Sequence, residues 1–200
     1  IYDIDFEDVQ TGDYLVQDGN SLWMDRYEKG WSWVDANAET GNKYLVVSGA
    51  EGDAYTDFWF NNVPMGSTLS FDFCMPITSS GWDRLAIAIG SSDVNYSWRF
   101  EQWQGWTSVK YADWDGNEQV VNEAFAIGTW YSVKMDWNGE QVAVKLWAKG
   151  TEEPVDYTFV TTNSAFTAAN AVRLNYTTSA QGYLALDNIH FYDSNEPTVE

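Results

Sequence analysis

Basic residues are scarce in this chain: 10 lysines and arginines stand against 30 aspartates and glutamates, for a formal net charge of -20. A field of that sign repels phosphate backbones and anionic lipid headgroups, which counts against nucleic acid and membrane as partners. Only one cysteine, Cys74, is present. A lone thiol cannot close an internal disulfide, so the fold must rest on packing and on any ion it binds. Cys74 lies within the strand-like run Leu69 to Met75 and reads as a small sheet or core residue. No apolar run approaches the roughly 18 to 20 residues of a membrane span. A signal-peptide pattern is also missing, and the chain opens on Ile1, which reads as an excised or mature module. The helical period is nearly absent, and no fixed-period repeat or low-complexity stretch occurs.

What is present is alternation. With 44% hydrophobic and 17% aromatic residues over 200 positions, the chain is apolar enough for one all-β domain with a real core. Leu69, Phe71, Phe73 and Met75 alternate with polar or small residues, as do Leu85, Ile87 and Ile89, then Tyr131, Val133, Met135 and Trp137. Asn138-Gly139 separates that last run from a second one at Val142, Val144 and Leu146, a strong hairpin signal. Further strands are expected at Tyr2 to Phe6, Trp31 to Asp35, Tyr44 to Ser48, Tyr55 to Asn61, Tyr96 to Glu101, Thr107 to Ala112, Val172 to Tyr176 and Tyr183 to Tyr192. About a dozen such strands describe a two-sheet antiparallel β-sandwich, or jelly roll. The domain is placed at residues 1-193, with 194-200 as a linker or tail. The segment Asp8 to Gly30 is the least regular and is expected to wrap over one end, and Thr167 to Ala171 could form a helical turn.

Twelve tryptophans exceed what one sandwich core of this size can absorb. Four of them, Trp98, Trp103, Trp106 and Trp114, fall within 17 residues around an expected hairpin. At least two of these should face solvent, and an exposed aromatic patch marks a binding surface. Flat indoles suit the apolar faces of pyranose rings. Trp103, Trp106 and Trp114 are the first candidates, followed by Trp82 after Gly81 and by Trp31 and Trp33 after Gly30; Trp59, Trp130 and Trp137 read as packing residues.

Asp5-Phe6-Glu7-Asp8 with Gly12, the run Gly41 to Gly49, the run Gly128 to Met135, and Leu186-Asp187-Asn188-Ile189 together resemble the frame of jelly-roll carbohydrate-binding modules and concanavalin-like laminin-G-type domains. The resemblance covers nearly the whole chain, but its motifs mostly encode strand edges and turns, so it bears on fold more than on any sugar. It implies a structural calcium ion, with Asp5, Glu7 and Asp187 as the matching oxygen donors. The alternative is that Asp187 and Asn188 satisfy backbone groups at a strand end.

A second constellation stands on the non-core positions of the strands: Arg84, Lys134, Lys145 and Arg173 with Trp147, Asn175, Ala86, Ala88 and Ala143. If these share one face, they form a shallow groove with Trp147 as platform and with Arg84, Lys145 and Arg173 as hydrogen-bonding cations. If instead they serve structure, they pair with acids such as Asp72 and Asp136. Concanavalin-like glucanases would show a Glu-x-Asp-x-x-Glu strand, and none is found; the single histidine, His190, reads as a strand-edge residue. The resulting expectation is a non-catalytic, secreted or cell-surface carbohydrate-binding module, covalently linked to a catalytic or scaffold module. Its ligand would be a neutral plant β-glycan such as β-glucan, xyloglucan, mannan or xylan, with an acidic polymer left open by the basic face. A hydrolase, a lyase or an adhesin-type domain are the alternatives.

Overall fold

The computed structural model describes residues 2–16, 22–27, 30–49, 54–63, 66–75, 81–90, 96–178 and 182–193; the expected tail, 194–200, lies outside them. Sixteen strands run through the described residues: β1 (Tyr2–Ile4), β2 (Gly12–Asp13), β3 (Leu22–Tyr27), β4 (Gly30–Ala36), β5 (Lys43–Gly49), β6 (Ala54–Asn61), β7 (Ser67–Cys74), β8 (Trp82–Ile89), β9 (Ser97–Trp103), β10 (Trp106–Ala112), β11 (Glu118–Asn122), β12 (Trp130–Asn138), β13 (Gln141–Ala148), β14 (Phe159–Thr162), β15 (Ala171–Thr178) and β16 (Gly182–Asp193). They form two antiparallel sheets. One has nine strands in the order β14-β13-β12-β7-β16-β5-β4-β2, with β1 beside β16; the other has seven, ordered β11-β10-β9-β8-β15-β6-β3. The result is an all-β jelly-roll sandwich.

Alternation is what stacks the sheets. Successive side chains of a strand point to opposite faces, so every second residue enters the space between the sheets. From the nine-stranded sheet come Leu45, Val47, Leu69, Phe71, Phe73, Val133, Met135 and Trp137; from the other come Phe58, Phe60, Leu85, Ile87, Trp98, Phe100, Val109, Leu174 and Tyr176, all buried. Phe73 meets Phe100 edge-on at 5.2 Å between ring centres, and Phe60 meets Phe191 at 4.7 Å, which locks the sheets in register. No helix among the described residues is long and apolar enough to cross a membrane.

Several local expectations need correction. Asp8 to Gly30 does not merely cap one end: β2 pairs with β4 in one sheet and β3 pairs with β6 in the other, so the segment extends both sheets at one side. β11 and β14 escape the alternation rule because they are edge strands with little to bury. The helical turn sits at Ser164–Ala168, started by the Asn163 side chain accepting from the Ala165 N–H, and Ala171 already belongs to β15. The β12–β13 hairpin turns one residue later than expected, because Asn138 pairs with Gln141 and Gly139 takes the positive φ of 61° at the first turn position.

Candidate functional site

Trp82, Trp103 and Trp106 stand in one row. Trp82 of β8 is directly opposite Trp103 of β9, which is directly opposite Trp106 of β10. The three indoles lie on the outer face of the seven-stranded sheet, because their neighbours Asp83, Gln102 and Thr107 are the buried ones. Opposed residues on adjacent strands are about 5 Å apart, so the row forms a shelf about 10 Å long. Trp103 is 61% and Trp106 71% exposed.

The shelf ends in a two-residue turn, Gln104-Gly105, with φ of 48° and 95°. Two positive φ values match the twist of a tight hairpin and bring the flanking tryptophans directly opposite each other across the ladder. Beneath it, the Gly105 N–H donates to the Gln102 side-chain oxygen at 3.1 Å, the Gln102 amide donates to Asp83, and the Tyr176 hydroxyl donates to Asp83 at 2.9 Å. Burial and then the Asp83 carboxylate push the Tyr176 hydroxyl well above its ordinary pKa, so it stays a donor. A buried hydrogen-bond chain therefore holds the tip from below.

Beside the shelf opens a cavity of about 460 Å³ lined by all three indoles with Glu101, Ser108, Asn122 and Glu123. Glu101 faces Lys110 at 3.3 Å. The Arg84 guanidinium lies 4.9 Å from the centre of the Trp82 ring and covers one side of that indole. Burial, reinforced by Arg99 and Arg173 against the opposing pull of Glu101, lowers the Arg84 pKa from its ordinary value. Neither Glu101 nor Glu123 was picked out from sequence. Gln104-Gly105 between two tryptophans was the signal that could have found them, since it fixes which outward residues share the row behind the shelf.

The other residues singled out from sequence are dispersed. Trp98 is core. Trp114 is 57% exposed but stands beyond β10, edge-on to Tyr96 at 6.1 Å, and does not line the cavity. The four cations do not share a face: Arg84 and Arg173 are on the seven-stranded sheet, whereas Lys134, Lys145 and Trp147 are on the nine-stranded one. β12 and β13 form their own hairpin in the second sheet, and that separates them. Lys134 and Lys145 sit 3.5 and 2.8 Å from Glu153, and Arg173 is 2.6 Å from Asp57. His190 contacts Asp3 of β1 at 2.6 Å.

Asp5, Glu7 and Asp187 also find other work. Asp5 accepts the Glu7 N–H, Glu7 accepts the Lys43 N–H, and Asp187 accepts from the Asn42 amide at 3.0 Å and the Asn188 N–H at 2.8 Å. Among the described residues, no group of three or more His, Cys, Asp or Glu is arranged to hold a metal ion. The melting temperature in excess EGTA tests the calcium expectation directly: a fall of several degrees, reversed by calcium, would support the ion, and an unchanged value would count against it.

Fold and shelf together define a jelly-roll β-sandwich with an aromatic platform on its seven-stranded face. No protein-family model and no curated protein sequence matches the chain. Solved structures do. An endo-acting O-glycanase of the human gut microbiota shares the fold with a TM-score of 0.62 at 11% identity, over 95% of this chain and 98% of that one. A glycoside hydrolase family protein from Mycobacterium thermorestibile gives 0.58 at 14%, over 94% and 98%. A mixed-linkage glucan GH16 from Bacteroides ovatus, solved with its product, gives 0.56 at 10%, over 92% and 100%. At such identities the likeness establishes the fold alone. It corrects the expectation that the chain is not an enzyme: glycoside hydrolases carry this sandwich over nearly their full length, so a missing Glu-x-Asp-x-x-Glu strand does not exclude catalysis.

Proposed function

We propose that this chain acts on carbohydrate, holding a polysaccharide flat against the Trp82, Trp103 and Trp106 shelf. The observation that carries the reading is the register of three indoles across three strands, two of them mostly open to water. Burying such rings in water-free contact is favourable at about 25 cal/mol per Å² of apolar area, and sugar rings offer apolar faces of matching flatness. Ser108, Asn122, Glu101 and Glu123 border the shelf and supply partners for hydroxyl groups. The net charge of -20 favours a neutral β-glycan over an anionic polymer. A secreted or cell-surface setting and covalent linkage to a further module belong to the same proposal, since tethering raises local concentration at an insoluble substrate. Affinity electrophoresis in gels containing β-glucan, xyloglucan, mannan or xylan tests it. Retarded migration in at least one supports the reading, and free migration in all of them overturns it.

A second reading adds hydrolysis. Glu101 and Glu123 open into the same cavity as the shelf, and glycoside hydrolysis uses two carboxylates across the scissile bond. Reducing-end release from the retained polysaccharide is the measurement. Glu101→Gln and Glu123→Gln should each lower it by about 100-fold or more, in line with loss of a general acid or base. Product formed equally well by both variants would remove the assignment.

A further inference from the structure

We propose that the opposite face of the sandwich carries a second, separate site for a neutral glycan chain: a trough running across the nine-stranded sheet from Trp33 to Trp130. The inference rests on the reading that this chain meets polysaccharide, but not on the shelf. Its starting point is a five-residue row. Trp33 of β4 is opposite Val46 of β5, Val46 opposite Ala185 of β16, Ala185 opposite Cys74 of β7, and Cys74 opposite Trp130 of β12. Four strand-to-strand steps of about 4.8 Å set the backbones of the two tryptophans about 19 Å apart, with only Val, Ala and Cys between them in the row. Large residues at both ends and small ones in the middle make a trough whether or not a ligand is present. Its volume is about 440 Å³.

The lining says what the trough fits. Trp130 is pinned as a wall, with Tyr44 edge-on at 5.6 Å and the Lys149 ammonium 5.3 Å from its ring centre. Trp33 and Tyr183 supply the rings left for stacking, and Tyr183 is 50% exposed. Asp35 and Asn37 stand exposed at the rim: Asp35 has a carboxylate oxygen beyond the one that holds the Ala36 N–H, and Asn37, whose side-chain oxygen accepts from the Glu39 and Thr40 N–H groups, has its amide N–H to donate. Apolar rings flanking a small-residue floor, with a carboxylate and amide above, match a ligand that is flat, apolar on its faces and rich in hydroxyl donors at its edges. Asp35 and the -20 net charge disfavour an anionic occupant. A folded protein partner needs roughly 800 Å² of contact per side, which a slot of this size does not offer, whereas ligand sites run from about 300 to 1,000 Å³. Two glycan sites on opposite faces would let one molecule bridge two polysaccharide chains or hold one chain at two points.

Cys74 makes the trough testable, because it is the chain's one cysteine, half-buried in the floor. Burial raises its thiol pKa, so alkylation is slow and reports access. The rate of maleimide labelling is measured with and without whichever soluble polysaccharide the gels retain. At ten times its Kd the polysaccharide should slow labelling by about tenfold, the inverse of the free fraction. A Trp103→Ala/Trp106→Ala variant should keep that protection while losing shelf binding. Trp33→Ala, with its fold checked by circular dichroism, should lose the protection while still being retarded in the gel. Retarded migration with unprotected Cys74 would overturn the trough alone, as would protection that disappears in the shelf variant and survives in Trp33→Ala. Free migration in every gel, which leaves no polysaccharide to protect Cys74, would overturn the shelf and the trough together.

Discussion

Trp106→Ala is expected to weaken polysaccharide binding by about 5- to 30-fold, and Trp103→Ala by a similar factor, with no measurable change in folding stability. The binding figure follows from about 1–2 kcal/mol per stacked ring, taken from aromatic stacking on nucleobases. The stability figure follows from exposure. Trp106 and Trp103 keep most of their surface in water, and surface changes away from caps and networks usually stay within about 0.5 kcal/mol. The contrast with Trp98 is instructive, because that residue belongs to the same sequence cluster but is fully buried against Tyr111 and Phe166. Truncating it removes about 3–5 kcal/mol of core packing and says nothing about ligand. Trp82 should fall between the two, since Arg84 already covers one side of its ring. Neighbouring rings share one ligand, so the Trp103→Ala/Trp106→Ala pair should lose less or more than the sum of the single changes. Isothermal titration with the retained polysaccharide reads these effects. Unchanged affinity in both single variants would sink the shelf.

The sheet architecture was legible because period-two alternation is a direct consequence of having one dry face. Leu69, Phe71 and Phe73, or Val133, Met135 and Trp137, could hardly be arranged otherwise. Edge strands were not legible: β11 reads Glu118-Gln-Val-Val-Asn122 and lies mostly in water, so nothing forces an apolar stripe on it. The exposure of Trp103, Trp106 and Trp114 could be anticipated by counting indoles against core volume. Which cations share a face could not. Face membership depends on which sheet a strand joins, and alternation inside one strand carries no information about its neighbours. Arg84 and Lys145 look alike in sequence, yet the core lies between them. The trough was hidden for the same reason, since Trp33, Val46, Cys74, Trp130 and Ala185 come from five strands spread over 150 residues of chain, and only pairing puts them in a row.

Asp57→Ala is expected to cost about 3–5 kcal/mol, the loss that follows when a buried ion pair is broken from one side. Asp57 is 3% exposed and accepts from Arg173 at 3.0 Å (Nε) and 2.6 Å (Nη2) and from the Asn175 amide at 2.6 Å. Arg173 in turn lies 4.8 Å from the centre of the Trp59 ring. Removing the carboxylate strands a guanidinium on a face that also holds Arg84 and Arg99, whose charges already oppose one another. For a chain of this size each kcal/mol moves the melting temperature by about 2–4 °C, so a fall of roughly 6 to 20 °C should appear in calorimetry. Replacing both partners by apolar residues, as in Asp57→Leu with Arg173→Met, should recover most of the loss, because the cost lies in an uncompensated charge rather than in a missing attraction. That double variant also decides what Arg173 is for. The sequence pattern offered it as a ligand contact, whereas the geometry engages it with Asp57 and Trp59, outside the cavity beside the shelf. If its task is to hold β15 against β6, polysaccharide retention by the double variant stays at the parent level even as the single variant unfolds early. A double variant that is folded but no longer retained would return Arg173 to the binding surface.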